Sequence, residues 1–133
     1  MTSISACMIA LNEEEFIKPA LESLEYVVDE IIVVDGGSTD ATLDICDEFK
    51  KVKVFHKKWI DDFGAQREYA LRQAKCDWIL SIDADEILSD EGFLLKEVAE
   101  KPVSNNYNIE YEHFIRDFGH VDATQEIHVG IRR

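Results

Sequence analysis

Positive charge is scarce in this chain. Its 133 residues hold 14 Lys and Arg against 28 Asp and Glu, a formal net charge of −14. That balance argues against DNA, RNA and anionic membrane surfaces as main partners, because each needs a cationic face. It leaves nucleotides open, since a bound cation inverts the local field. Cysteine is scarce too: Cys7, Cys46 and Cys76 are odd in number and widely spaced. No C-x-x-C pair occurs, so no cysteine metal site or redox motif is expected. Two of the three sit in apolar runs and read as reduced core thiols. No apolar run reaches the length of a membrane span. Met1-Thr2-Ser3 puts no basic stretch before the first apolar run, so no signal peptide is expected and the cytoplasm is the expected compartment. The phosphate-binding patterns G-x-G-x-x-G and G-K-[ST] are missing. There are no repeats and no low-complexity tract. What is present is an ordinary composition, 46% hydrophobic, enough at this length for one domain with a real core.

Strand and helix patterns alternate along the chain. Ile4 to Leu11 reads as a buried strand, and Asn12 as the cap of a helix with Ile17, Ala20, Leu21 and Leu24 on one face. Pro19 falls inside that helix, which must start late or kink. Glu30 to Val34 is a β-branched strand. Asp40 opens a helix with Ile45, Cys46 and Phe49 on one face. Val52 to Phe55 is a short third strand. Asp61 or Asp62 caps a helix through Ala74, and Asp77 to Ile82 is the fourth strand. Repeated units of this length predict an α/β fold with a mostly parallel sheet and helices on both faces. Pro102 to Asn106 breaks the pattern, and Tyr107 to Arg133 alternates weakly.

In such sheets ligands bind beyond the carboxyl ends of the strands. Three polar clusters fall there: Asn12-Glu13-Glu14, Asp35-Gly36-Gly37-Ser38-Thr39-Asp40, and Asp83-Ala84-Asp85 followed by Glu86. Two acids separated by one residue at a strand end can hold a hard cation such as Mg²⁺ or Mn²⁺, which takes oxygen ligands and is often shared with substrate phosphates. An acidic cap on the next helix is the alternative reading of the same residues. In the second cluster the two glycines permit a tight turn and close ligand approach. Asp35 there can accept a hydrogen bond from a base N–H. A plain strand-to-helix turn is the alternative.

Val33-Val34-Asp35-Gly36-Gly37-Ser38-Thr39-Asp40-Ala41-Thr42 resembles the "VVDDGSTDGT" segment of the inverting family 2 glycosyltransferases of the GT-A fold. Ala10-Leu11-Asn12-Glu13-Glu14 looks like their first strand-to-helix loop. Asp62-Phe63-Gly64-Ala65-Gln66-Arg67 is similar to the start of the helix before their D-x-D strand, and Asp77 to Glu86 to that strand itself. The flavour is that of transferases acting on lipopolysaccharide cores. The resemblance covers about the first hundred residues. It implies a GT-A sheet, unusually short, in which residues 1–101 form donor-binding βα units and 102–133 a truncated acceptor-side segment of one domain.

The resemblance also implies a site. Ala10, Leu11, Asn12, Glu14 and Asp35 would hold uracil and ribose, with Gly37 in the same turn. Gly64, Gln66 and Arg67 would line the nucleotide side. Asp83, Ala84 and Asp85 would meet ribose and diphosphate, with Asp85 and Asp83 holding Mn²⁺ or Mg²⁺. The implied partners are a uridine diphosphate sugar such as UDP-glucose and a saccharide acceptor of unknown identity. Gly36 stands where a second Asp is common, and Glu68 where Asn is usual.

An inverting transfer needs a base to take the acceptor proton, and family members normally continue past this length to supply it. Asp117, Asp122, Glu126, His120 and His128 are the remaining candidates, none in a motif, so weak transfer with slow donor hydrolysis is expected. Arg132 and Arg133 would contact the diphosphate or form a solvated tail. A homodimer paired along an edge near Tyr107–Tyr111 is another way to complete the site. The competing classes are a non-catalytic nucleotide-sugar binder and a haloacid-dehalogenase-like phosphohydrolase with Asp83 as nucleophile.

Overall fold

A computed structural model describes residues 2–101, 106–114 and 121–131. Strand β1 (Ile4–Ala10) leads to helix α1 (Ile17–Leu24), β2 (Glu30–Asp35), α2 (Thr42–Cys46), β3 (Val52–His56), α3 (Phe63–Gln73) and β4 (Trp78–Ser81). A 3₁₀ turn, Asp90–Phe93, and α4 (Leu94–Glu100) then precede the hairpin β5 (Asn106–Phe114) and β6 (Val121–Ile131). The six strands form one sheet in the order β3-β2-β1-β4-β6-β5. The first four strands run parallel. Strand β6 pairs antiparallel with β4, and β5 with β6, which puts β5 at the edge.

The strand runs are continuous rather than alternating because the parallel sheet is covered on both sides. Ile31 and Val33 face one core with Ile4, Ala6 and Met8, under α1 and α2. Ile32 and Val34 face the other with Cys7, under Ala70 and Ala74 at the back of α3. Ile17, Ala20, Leu21 and Leu24 of α1 are all fully buried, as their spacing predicts. Cys7 and Cys46 are buried and no disulfide joins the cysteines. Burial and the nearby charge of Asp35 push the Cys46 thiol up to about 11, so it stays protonated.

Two helix starts differ from expectation. Asn12 does not cap α1: it lies four residues ahead of the N-cap position, Phe16, in the left-handed region at φ 53°. The helix starts late because Pro19 must fall in its first turn, where a missing N–H costs nothing. Asp40 does not open a long α2, which has only five residues; its Oδ1 accepts from the Thr42 amide and hydroxyl, and Phe49 reaches the core from the turn that follows. Asp62 caps α3 by accepting from the Ala65 amide at 3.0 Å, settling the choice between it and Asp61.

The amino ends of the strands are tied by a buried polar knot. Glu30, 6% exposed, accepts from the Ser5 hydroxyl at 2.5 Å, the Lys75 amide at 2.6 Å and the Lys53 ammonium at 3.0 Å. Burial pushes its carboxyl up, but the Ser5, Lys75 and Lys53 donors outweigh it and hold the group below its usual range. Lys51 closes the same end by donating to the carbonyls of Glu25 and Val28 past the end of α1.

Candidate functional site

At the opposite, carboxyl edge, β1 is flanked by β2 and β4, so the loops after all three strands meet. The first two loops are laced together. Gly36 N donates to Ala10 O, and Asn12 N to Ser38 Oγ. Asn12 Oδ1 accepts from the amides of Thr39 and Asp40 at 2.8 and 3.3 Å. Glu14 accepts from the Ala41 amide and gives its own amide to Asp40. The left-handed backbone of Asn12 and the bonds of its side chain are one device, since Asn tolerates that region and here it aims the carboxamide across the gap.

Asp35 is 2% exposed, at the end of β2. Its Oδ2 accepts from the amides of Gly37 and Ser38, and its Oδ1 from the Ser38 hydroxyl at 2.5 Å. The carboxylate therefore folds the turn it begins. Gly37 is exposed at φ 117°, a conformation that favours glycine, with nothing within 4 Å of the place a Cβ would take. At the end of β1, Ala10 is buried and Leu11 after it is exposed.

The third loop is the acidic corner. Ala84 is buried and turns Asp83 and Asp85 outward; the Asp83 side chain is 37% exposed and Asp85 is exposed. Arg67, reaching from α3, donates to Asp83 Oδ1 at 3.0 Å. Glu86 is buried and braces the loop from below, accepting from the Asp83 amide at 2.7 Å. Burial, with Asp83 and Asp85 close by, pushes its carboxyl up to about 7. Glu13 belongs to the same field: burial, then Asp85, Asp40 and Asp83, raise its carboxyl above the usual range. Glu13 was not among the site residues expected from sequence, although its place between Asn12 and Glu14 marks it.

The donor set fits a hard cation shared with phosphate. Among the described residues no three His, Cys, Asp or Glu side chains converge to hold a metal unaided. One or two outward carboxylates in a crowded negative field suit Mg²⁺ or Mn²⁺ that takes its other ligands from water and a diphosphate.

The rest of α3 divides. Gly64 is exposed on its first turn, and a Cβ there would meet only Asp62 Oδ1 at 3.4 Å. Gln66 is 1% exposed and donates to Lys57 O at 2.6 Å, while its Oε1 has no partner among the described residues. Beside it, Trp59 and Phe63 form an aromatic pair with ring centroids 4.8 Å apart. Neither aromatic was expected; rings flanking Asp61-Asp62 in an otherwise polar loop are the signal that could have found them.

Asp117, His120, Arg132 and Arg133 lie outside the described residues. Asp122, Glu126 and His128 are on β6, where only the backbone is described. No helix among the described residues is long and apolar enough to cross a membrane.

Residues 5–128 match the family described as Glycosyl transferase family 2. A glycosyltransferase of Rickettsia felis is 45% identical over 91 residues, 68% of this chain and 31% of that protein. Among solved structures, S. aureus TarS in complex with UDP superposes with a TM-score of 0.72 at 26% identity, over 89% of this chain and 38% of that one. Glucosyl-3-phosphoglycerate synthase from Mycobacterium tuberculosis, in complex with Mn²⁺, UDP and glucosyl-3-phosphoglycerate, gives 0.55 at 28% identity, over 62% and 33% of the two chains. The sheet is therefore GT-A-like. The chain spans about a fifth to a third of the length of the curated relatives it matches, 22% and 31% for the first two.

Proposed function

Since the chain belongs to glycosyl transferase family 2, we propose that it binds a uridine diphosphate sugar with Mn²⁺ or Mg²⁺ and serves inverting transfer of the sugar to a saccharide acceptor. UDP-glucose is the first donor to test, and an acceptor of the lipopolysaccharide-core kind the first acceptor. The observation that carries this reading is the meeting of two laced loops with an outward Asp83–Asp85 pair at the carboxyl ends of three adjacent strands. UDP in the TarS and synthase structures, and the metal in the latter, support it.

In this reading Ala10, Leu11, Asn12 and Glu14 offer backbone and side-chain edges to the nucleoside. Asp35 and Gly37 hold the facing turn in the shape that receives it. Asp83 and Asp85 hold the cation and ribose, and Ala84 keeps the two carboxylates outward. Gly64 leaves room on the first turn of α3, and Arg67 orients Asp83 while presenting a positive charge toward the diphosphate side. A bound cation offsets charge growing on the departing diphosphate. The acceptor-side work falls to residues 102–133 or to a second copy paired along β5, and the cytoplasm is the proposed setting for cysteines kept reduced.

The test is release of UDP from a panel of UDP-sugars with Mn²⁺, with and without saccharide acceptors, beside a thermal-shift series. Stabilisation by UDP-sugars with slow release supports the proposal. Stabilisation with no release under any condition favours a donor-binding role without transfer. No stabilisation by any nucleotide sugar overturns it.

A further inference from the structure

Acids outnumber bases in this chain, yet one stretch inverts the balance. Residues 50–58 hold Lys50, Lys51, Lys53, Lys57 and Lys58, five of the 14 Lys and Arg, with His56 and no acid among them. The fold puts this stretch on a rim. Its middle is β3 (Val52–His56), which ends the sheet order and pairs with β2 alone among the described strands. Val52 and Val54 pack toward the first core and Phe55 toward the second, so the strand is anchored on both faces. A lysine within an edge strand discourages pairing with another strand. That explains Lys53. It does not explain the other four, which flank the strand on both sides.

The charge of this strip is not cancelled within the protein. Lys51 Nζ donates to the carbonyls of Glu25 and Val28, which are dipoles and leave its charge in place. Lys57 Nζ stands 6.0 Å over the Tyr69 ring. Of the five, only Lys53 meets a carboxylate among the described residues, that of Glu30 at 3.0 Å. Lys50 and Lys58 are both exposed. Glu48, close to Lys50 in the chain, is drawn instead to Lys18 at 3.6 Å.

Where the strip ends at the carboxyl edge, apolar side chains continue it. Ile60 and Phe63 are 60% and 63% exposed. The acids between them are engaged by their own loop: Asp61 accepts from the Trp59 indole and Asp62 from the Ala65 amide. At the other end Tyr26, 84% exposed, falls between the two residues whose carbonyls Lys51 holds. A row of cations with exposed apolar residues at both ends has the chemistry of a bilayer interface. There the cations meet headgroup phosphates and the apolar side chains enter the acyl boundary. An acidic peptide would use the cations and leave Ile60 and Phe63 in water. The overall charge of −14 does not forbid such a contact, because charges more than about 8 Å from the surface are screened at physiological salt.

We infer that the β3 rim is a docking surface for an anionic phospholipid bilayer. The Lys57 amide donates to Asp35 O and the Trp59 amide to Gly36 O, so the carboxyl end of the strip is fastened to the turn that begins at Asp35. A bilayer seated on the rim therefore lies beside the candidate site, and the acceptor becomes a saccharide carried on a lipid. That consequence rests on the proposed function; the docking itself does not.

The experiment sediments the full chain, without nucleotide or metal, with vesicles of phosphatidylcholine alone and of phosphatidylcholine mixed with phosphatidylglycerol. The chain should bind the anionic vesicles and not the neutral ones, and high salt should release it. Lys50→Gln combined with Lys58→Gln should weaken binding about 30-fold, or about fivefold for each lysine at the surface. Both lysines are exposed, so this double variant should melt at the wild-type temperature. Lys96→Gln combined with Lys101→Gln changes the total charge equally, from exposed positions in and just after α4, and should bind as wild type does. Ile60→Ser should weaken binding about tenfold and leave its salt dependence unchanged. Absence of binding to anionic vesicles overturns the inference. So does an equal loss in the two lysine pairs, which would make the effect one of net charge. Binding to soluble polyglutamate but not to vesicles would make the rim a peptide site and overturns it too. None of these outcomes bears on the donor class, which calorimetry with UDP tests by itself.

Discussion

Asp85 and Gly37 are both exposed, and their replacement separates ligand chemistry from backbone geometry. Asp85→Ala removes an outward carboxylate that supports no packing, so the melting temperature without ligand should stay within a degree or two. The extra stabilisation that Mn²⁺ gives to UDP binding should vanish. An unchanged Mn²⁺ increment would reduce the D-x-D pair to a helix cap. Gly37→Ala should do the reverse. Nothing lies within 4 Å of the new methyl, so any cost is that of φ 117° alone. That cost is about 1–2 kcal/mol, read as a fall in the urea midpoint at constant slope. At this scale the sequence was legible where a residue's type states its job. Asp83 and Asp85 point outward because a buried pair of charges would be too costly. Gly37 takes the positive φ its neighbours avoid. Asp35 was harder, because a strand-end Asp serves a ligand or its own turn equally well, and only the three donors around it show where its oxygens are engaged. The rings flanking Asp61-Asp62 mark the loop, but where Trp59 sits was not legible, because its position depends on Gly36, more than twenty residues earlier in the chain, and on the fold that joins them.

The strands and helices that position the site were legible where period and length agree. The apolar face of α1 was readable at i, i+3, i+4 and i+7, and all four residues are fully buried. Leu21→Ala should therefore cost about 2–5 kcal/mol in unfolding free energy. The loops between elements were not legible, because tertiary hydrogen bonds override local capping preference. Asn12 satisfies amides of the neighbouring loop rather than its own helix. The knot around Glu30 makes an element-scale prediction with a definite sign. Its carboxyl is held below its ordinary value of 4.5 in the folded chain. The stabilisation is therefore present above that value and is lost as pH falls through the lower folded value. Glu30→Gln should lower stability at pH about 7 by roughly 1–3 kcal/mol, the range for a buried hydrogen-bonded group that loses its partners' complement. In acid, as pH falls below the ordinary value of 4.5, the gap between variant and wild type should narrow. A gap that widens on acidification would contradict the assignment. Urea titrations of the two proteins at both pH values measure it.

The whole molecule is strongly acidic, yet its proposed ligand is an anion. That apparent conflict locates the central claim. With a net charge of −14, and with Glu13, Asp40, Asp83 and Asp85 gathered at one corner, a diphosphate arriving there meets a negative field that Arg67 offsets only at Asp83 among these carboxylates. In the proposed reading a bound cation reverses that field and lets the nucleotide dock. Binding of the two is then reciprocal, each raising the other's affinity by the same factor. The resemblance in the first hundred residues named the fold correctly because strand–helix alternation and the D-x-D strand are local patterns. It said less about residues 102–133, whose weak alternation becomes the antiparallel β5–β6 pair added beyond β4. Calorimetric titration of UDP into the full chain tests the claim most directly, once with excess Mn²⁺ and once with excess chelator. The account predicts binding with Mn²⁺ and a loss of about tenfold or more, close to 1.4 kcal/mol, with chelator. Equal affinity in the two titrations would contradict it.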